Sequence, residues 1–137
     1  MVKLPPRYTA GLSKEDAKEQ VRMIERTKRI YEQTGKVEAR PKVSNAPVPR
    51  SSHAAKFEKK YGYTVSELSK VKRDFPDTDV DKILAKGRAA YASSGSRPNT
   101  TPEAWAKARL ASVLTGGNAL KIDKDLVGPK SLAKIKG

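Results

Sequence analysis

The chain has no cysteine and one histidine, His53, among its 137 residues. Disulfides, thiol nucleophiles and Cys-ligated zinc are thereby excluded, and so is any metal site that needs several histidines. Aromatic residues make up 6% and hydrophobic residues 36%, many of the latter alanine. Large apolar side chains are scarce, which predicts small helices packed over thin seams rather than a thick core. No apolar stretch approaches the roughly 18 residues that cross a bilayer. The opening MVKLPPRYTAGLSKED lacks the apolar centre of a secretory leader, so a non-secreted product is expected.

Acidic residues are also in short supply. There are 15 against 29 Lys and Arg, a formal net charge of +14. The excess is spread over the whole chain. A field of that sign favours polyanions, whether nucleic acid, an acidic protein face or an anionic membrane, although it also serves solubility alone. From Ala39 to Phe57 there is no acid, and beyond Gly128 the lysines Lys130, Lys134 and Lys136 have no acidic neighbour in sequence.

Pro5, Pro6 and Gly11 mark residues 1–12 as an extended arm. Ser13 is placed to cap a helix over 14–34, with Glu15 and Asp16 on its positive end and Gly35 as its stop. Val21, Ile24 and Tyr31 lie on its apolar stripe. Residues 36–50 carry three prolines and read as a linker. A short helix is predicted at 51–60. Thr64 and Glu67 have capping-box spacing ahead of a helix at 65–73 that carries Leu68. Asp77 or Thr78 is placed to cap a helix at 79–92, with Ile83, Leu84 and Tyr91 on its apolar face. Thr101, Pro102 and Glu103 then give a strong start to a helix holding Trp105 and Leu110, which ends at Gly116 and Gly117. A short turn at 118–121 and a basic tail over 128–137 complete the chain. The expected fold class is mainly α: a small irregular helical domain of about four to five short helices, with a first helix at 13–35, a helical domain at 51–127, extended N-terminal and middle arms, and a basic C-terminal tail. The expected core residues are Val21, Ile24, Tyr31, Leu68, Ile83, Leu84, Tyr91, Trp105 and Leu110.

Few residues invite chemistry. Asp77, Asp79 and Asp81 have the alternate spacing of a calcium loop, but Lys82 stands where such a loop needs glycine and Arg88 where it needs a bidentate Glu. Acids on a helix N-terminus explain the cluster better. The glycines do not fall at nucleotide-loop spacing, and no nucleophile has an evident base. The polar loop 93–100 sets Arg97 among small hydroxyl residues beside a helix start. That arrangement suits a phosphate or carboxylate, and equally an ordinary turn whose Arg97 pairs with a nearby acid. Trp105 is read as buried against the helix at 79–92 rather than as a stacking platform for bases. No cofactor, metal ligand or catalytic residue is expected.

The stretch KGRAAYASSGSRPNTTPEAWAKARLASVLTGG, residues 86–117, carries a specific phrase: Lys86–Gly87 and Tyr91, then Ser93–Asn99, Trp105, Ala108–Ser112 and Thr115–Gly117. Earlier, LSKEDAKEQ at 12–20, Tyr31 with Gly35–Lys36, Arg40–Pro41 and Ser52–His53 follow in order. Together these residues resemble a domain of unknown function found in proteins of large double-stranded DNA viruses and some related phages, over roughly residues 12–127. The resemblance implies a viral source, and with it a virion component, but brings no catalytic residues.

The expected function is therefore that of a non-enzymatic structural virion protein, a minor capsid or cement protein that bridges larger capsid proteins through helices and arms. The alternative is a basic protein that condenses or packages the viral genome. Expected partners are major and other minor capsid proteins, with packaged DNA met through nonspecific phosphate contact, and no membrane span. The expected location is the virion capsid, reached from host cytoplasm or nucleus during assembly. Candidate contact residues for a partner or polyanion are Arg40, Lys42, Arg50, Arg97, Arg109, Lys130, Lys134 and Lys136.

Overall fold

A computed structural model describes residues 6–42, 51–94, 96 and 99–137. The fold is mainly α. The described residues form seven α-helices, which we number α1 (Lys14–Thr34), α2 (Ser52–Tyr61), α3 (Leu68–Asp74), α4 (Val80–Ser94), α5 (Pro102–Leu114), α6 (Asn118–Asp123) and α7 (Pro129–Lys136). Short 3-10 turns lie at Pro6–Tyr8 and Lys124–Leu126. Among the described residues the only extended pairing is a single antiparallel bridge between Thr78 and Val127. The residues sort into two compact units. One combines the described residues up to 42 with Arg88–Trp105, and the other combines 51–87 with Ala106–Gly137.

In the first unit, α1 starts as its sequence predicts. The Ser13 hydroxyl accepts the Asp16 N–H at 3.1 Å, and Glu15 and Asp16 occupy the first turn. Gly35 ends the helix in the left-handed conformation (φ 73°), which a residue with a Cβ adopts only at a cost, and donates its N–H to the Tyr31 carbonyl. The buried line of α1 differs from the expected apolar stripe. It runs through Gln20, Ile24 and Thr27, while Val21 and Tyr31 are half-buried. Two polar residues take core positions because they find polar partners elsewhere in this unit, described below. The arm ahead of α1 is not extended throughout: Pro6–Tyr8 makes a helical turn, and Tyr8 is buried.

The second unit has an apolar cluster of its own. Phe57, Val65, Val71, Phe75, Val80, Ile83, Leu84, Leu110, Val113, Leu114, Val127 and Ile135 are its larger members. The Phe57 ring packs on Tyr61 at 4.8 Å and on the edge of Tyr63 at 5.4 Å, and Tyr61 meets Phe75 edge-on at 5.2 Å. This geometry places the few aromatics where each buries the most area. The Tyr61 hydroxyl donates to the Leu114 carbonyl at 2.5 Å, and burial pushes its pKa up to about 12.

Three elements in this unit depart from expectation. Helix α3 begins at Leu68, not 65. The Glu67 carboxylate does accept the Thr64 N–H at 3.2 Å, which is half of a capping box, but the Glu67 N–H closes a turn on the Thr64 carbonyl and delays the helix. The short turn expected at 118–121 is part of a longer element, α6 (Asn118–Asp123), which a 3-10 turn at Lys124–Leu126 follows. The basic end, expected as a tail, is helix α7, whose Ser131 and Ile135 are buried one turn apart.

Candidate functional site

Each unit holds buried polar side chains that fasten its elements together. In the first unit the centre is Arg40, which is only 7% exposed. Its guanidinium lies over the Tyr91 ring, 3.8 Å from the centroid. One terminal nitrogen donates to Thr27 Oγ1 and the other to Ser96 Oγ, both at 2.8 Å, and each reaches the Tyr91 carbonyl at 3.4 Å. The Arg40 backbone N–H donates to the Tyr91 hydroxyl at 2.8 Å, and Gln20 Nε2 donates to the Ser96 carbonyl at 3.2 Å. A rigid fork over an aromatic face is a role that lysine cannot fill. Burial pulls the Arg40 pKa down from its ordinary value, opposed by the Tyr91 and Tyr8 phenols. The group nonetheless stays cationic at any physiological pH. Arg40 was a candidate contact for an external polyanion. Its place is instead inside, where it joins α1, the segment after it and the end of α4.

In the second unit Asp123 is fully buried, at 0% exposure. Arg109 grips it with two bonds, Nε at 2.8 Å and a terminal nitrogen at 3.0 Å, and Lys86 Nζ adds a third at 3.1 Å. Burial pushes the Asp123 carboxyl up, but the hydrogen bonds from Arg109 and Lys86 outweigh it and leave its pKa lowered. The candidate cation Arg109 is thus committed to tying α5 to α6, and its own pKa is raised by Asp123.

The acids at 77, 79 and 81 do three separate jobs, none of them shared ligation. Asp77 accepts the backbone N–H groups of Lys130 at 2.8 Å and Ser131 at 3.0 Å, together with the Ser131 hydroxyl. It therefore caps α7, a helix that has no side-chain cap from its own flank. The Ser131 hydroxyl and the two amides hold the Asp77 pKa below the usual carboxylate range against the opposing effect of burial. Asp79 accepts the Lys82 N–H at 3.2 Å and caps α4, the role the sequence assigns to Asp77 or Thr78. Asp81 pairs with Lys72 at 3.1 Å. Among the described residues no three His, Asp or Glu side chains gather as a metal site.

Among the charged side chains exposed on the second unit, lysine is the commonest type. The cations of α3 are neutralised locally: Lys70 by Glu67 at 3.0 Å, Lys72 by Asp81, and Arg73 by Asp74 at 3.0 Å. By contrast Lys56, Lys59 and Lys60 on α2 and Lys130, Lys134 and Lys136 on α7 make no ion pair with any described carboxylate. All six are exposed. Lys56, Lys59 and Lys60 recur at i, i+3 and i+4 and share one face of α2. Lys60 Nζ donates to the Ile135 carbonyl, which brings the last turn of α7, with Lys136, alongside that face. Lys134 lies over the Phe75 ring at 5.1 Å.

Of the other candidate residues, Lys42 is exposed, and Arg50 and Arg97 lie outside the described residues. Of the expected core, Ile24, Ile83, Leu84, Tyr91 and Leu110 are buried, and Val21, Tyr31, Leu68 and Trp105 are half-buried. Sequence reasoning gave Lys56, Lys59 and Lys60 no site role, although their helical spacing was visible. No helix among the described residues is long and apolar enough to cross a membrane.

Comparison with known proteins places residues 5–127 in the family of unknown function DUF5824, and the chain belongs to that family. No curated protein and no solved structure matches it.

Proposed function

We propose that this member of DUF5824 is a non-enzymatic structural protein of a large double-stranded DNA virus, a minor capsid or cement protein that bridges larger capsid proteins. One observation carries the reading: the buried ionic side chains, Arg40 and Asp123, are spent on joining elements of the fold, and the exposed charge of the second unit is dominated by lysine. A surface of that kind suits docking on an acidic or polyanionic neighbour. The viral setting comes from the phrase KG, Tyr91, SSGSRPN, Trp105, ARLAS and TGG, which resembles proteins of such viruses. Genome condensation or packaging is the second reading, favoured by the lysine face of α2 and α7.

The reading predicts recovery of the chain in purified particles of the source virus at a fixed ratio to the major capsid protein. Quantitative mass spectrometry of gradient-purified particles measures that ratio. Absence from particles, or a ratio that drifts between preparations, removes the virion assignment.

A further inference from the structure

We infer that the face formed by Lys56, Lys59 and Lys60 on α2 and Lys136 on α7 is a docking surface for the phosphate backbone of nucleic acid, read without regard to base sequence. The inference rests on the genome-binding reading, which it deepens to a named face and its ligand, and it fails separately from the capsid reading.

Lys56, Lys59 and Lys60 share one face of α2, Lys136 follows Ile135 on the last turn of α7, and none of the four has a carboxylate partner among the described residues, while the cations of α3 are each paired. The contrast matters because a paired lysine has already lost much of its attraction for an external anion. An unpaired one keeps its full charge and, on neutralising a phosphate, releases the counterion condensed there. The spacing is compact: Lys56 and Lys60 are four residues apart, about 6 Å along the axis, and Lys60 reaches the last turn of α7 through the Ile135 carbonyl. A duplex carries one phosphate charge per roughly 1.7 Å of axis, so several phosphates fall within such a face.

Composition decides the partner class. Stable protein interfaces are centred on aromatic, Met or Arg anchors and are depleted of lysine, so an acidic capsid protein would find on this face only the charged rim of an interface and not its centre. This face offers flexible lysines and no exposed aromatic. Phe57, on the same helix, is fully buried, and the one large apolar side chain exposed among the described residues, Ile122, is on α6. Nor is any aromatic side chain exposed among the described residues as a platform for stacking single-stranded bases. What is left is point charge, which fits the backbone of a duplex.

The test is fluorescence anisotropy of the full chain with a labelled random-sequence DNA duplex at several salt concentrations between 50 and 200 mM. The triple variant Lys56→Gln, Lys59→Gln, Lys136→Gln is compared with a control that removes the same charge from α1, Lys14→Gln, Lys18→Gln, Arg29→Gln. All six positions are exposed, and circular dichroism melting checks that both variants stay folded. Three lost phosphate contacts lower the slope of log affinity against log salt by about 2.7, and the affinity at 0.1 M salt by roughly 100- to 1000-fold. The control leaves the slope near that of the wild type. An unchanged slope in the face variant, or equal losses in both variants, overturns the assignment. So does binding to poly-aspartate in the absence of binding to the duplex, which would make an acidic protein the partner.

Discussion

Replacing Asp123 with alanine removes a buried carboxylate and strands two cations. The carboxylate holds three charge-assisted bonds, two from Arg109 and one from Lys86. Breaking a fully buried pair costs about 3–5 kcal/mol. Here the partners keep some access to water, with side-chain exposures of 20% for Arg109 and 38% for Lys86, which lets solvent recover part of that loss. The expected destabilisation is therefore about 2–3 kcal/mol, which for a chain of this length lowers Tm by roughly 7–10 °C. Urea or thermal denaturation followed by circular dichroism measures it. A double-mutant cycle with Arg109→Met sharpens the test, because the pair of substitutions costs less than the sum of the two when the cation is stranded only in the single variant. A Tm change under about 2 °C, or strict additivity in the cycle, would refute the reasoning. The pH dependence has a fixed sign. The Asp123 pKa is lowered in the folded state, so its contribution is present above the unfolded carboxylate value near pH 4 and is lost as pH falls through the folded value. The Asp123→Ala variant loses that part of the acid sensitivity.

Three further outcomes follow from the same contacts. Arg40→Lys keeps the charge but loses the fork to Thr27 and Ser96 and the stack on Tyr91, and should cost about 2–3 kcal/mol; hydrogen exchange at the Arg40 amide, which donates to the Tyr91 hydroxyl, should speed up, and wild-type stability and exchange would contradict the clamp. Asp77→Asn should raise exchange at the first amides of α7 by roughly tenfold, since those amides lose a charged cap, and unchanged protection of Lys130 and Ser131 would contradict the capping role. In Gly128→Ala the new Cβ falls on the Asp77 side chain, so α7 should loosen by the same exchange measurement, whereas Gly35→Ala, with open space around its Cβ, should affect only the end of α1 through its positive φ.

Much of the fold is legible in the sequence because helix ends are local chemistry. Ser13 with Asp16, Thr101 with Ala104, and Gly35 are all found within a few residues of the groups they serve. Contacts made far along the chain leave no such trace. Arg40 is a pre-proline cation in a polar stretch, indistinguishable by pattern from a solvated one, yet its partners lie 13, 51 and 56 residues away. Asp77 has a helix start just after it, which is the natural reading, but its carboxylate serves amides 53 and 54 residues on. Helix α7 was hidden by its charge. Gly128, Pro129 and the Ser131–Ile135 spacing mark a helix, and the lysines between them mark a tail. On α1 the apolar stripe misplaces the buried line because Gln20 and Thr27 are buried by polar partners that periodicity does not weigh.

The account separates side chains that hold the fold from side chains that meet the outside, and measuring stability and duplex affinity on one set of variants tests that separation directly. Asp123→Ala and Arg40→Lys should lower Tm and leave the affinity of the folded fraction unchanged, while Lys56→Gln, Lys59→Gln and Lys136→Gln should leave Tm unchanged and lower affinity. A clamp variant that stays fully folded and loses the duplex, or a lysine variant that unfolds, would contradict it.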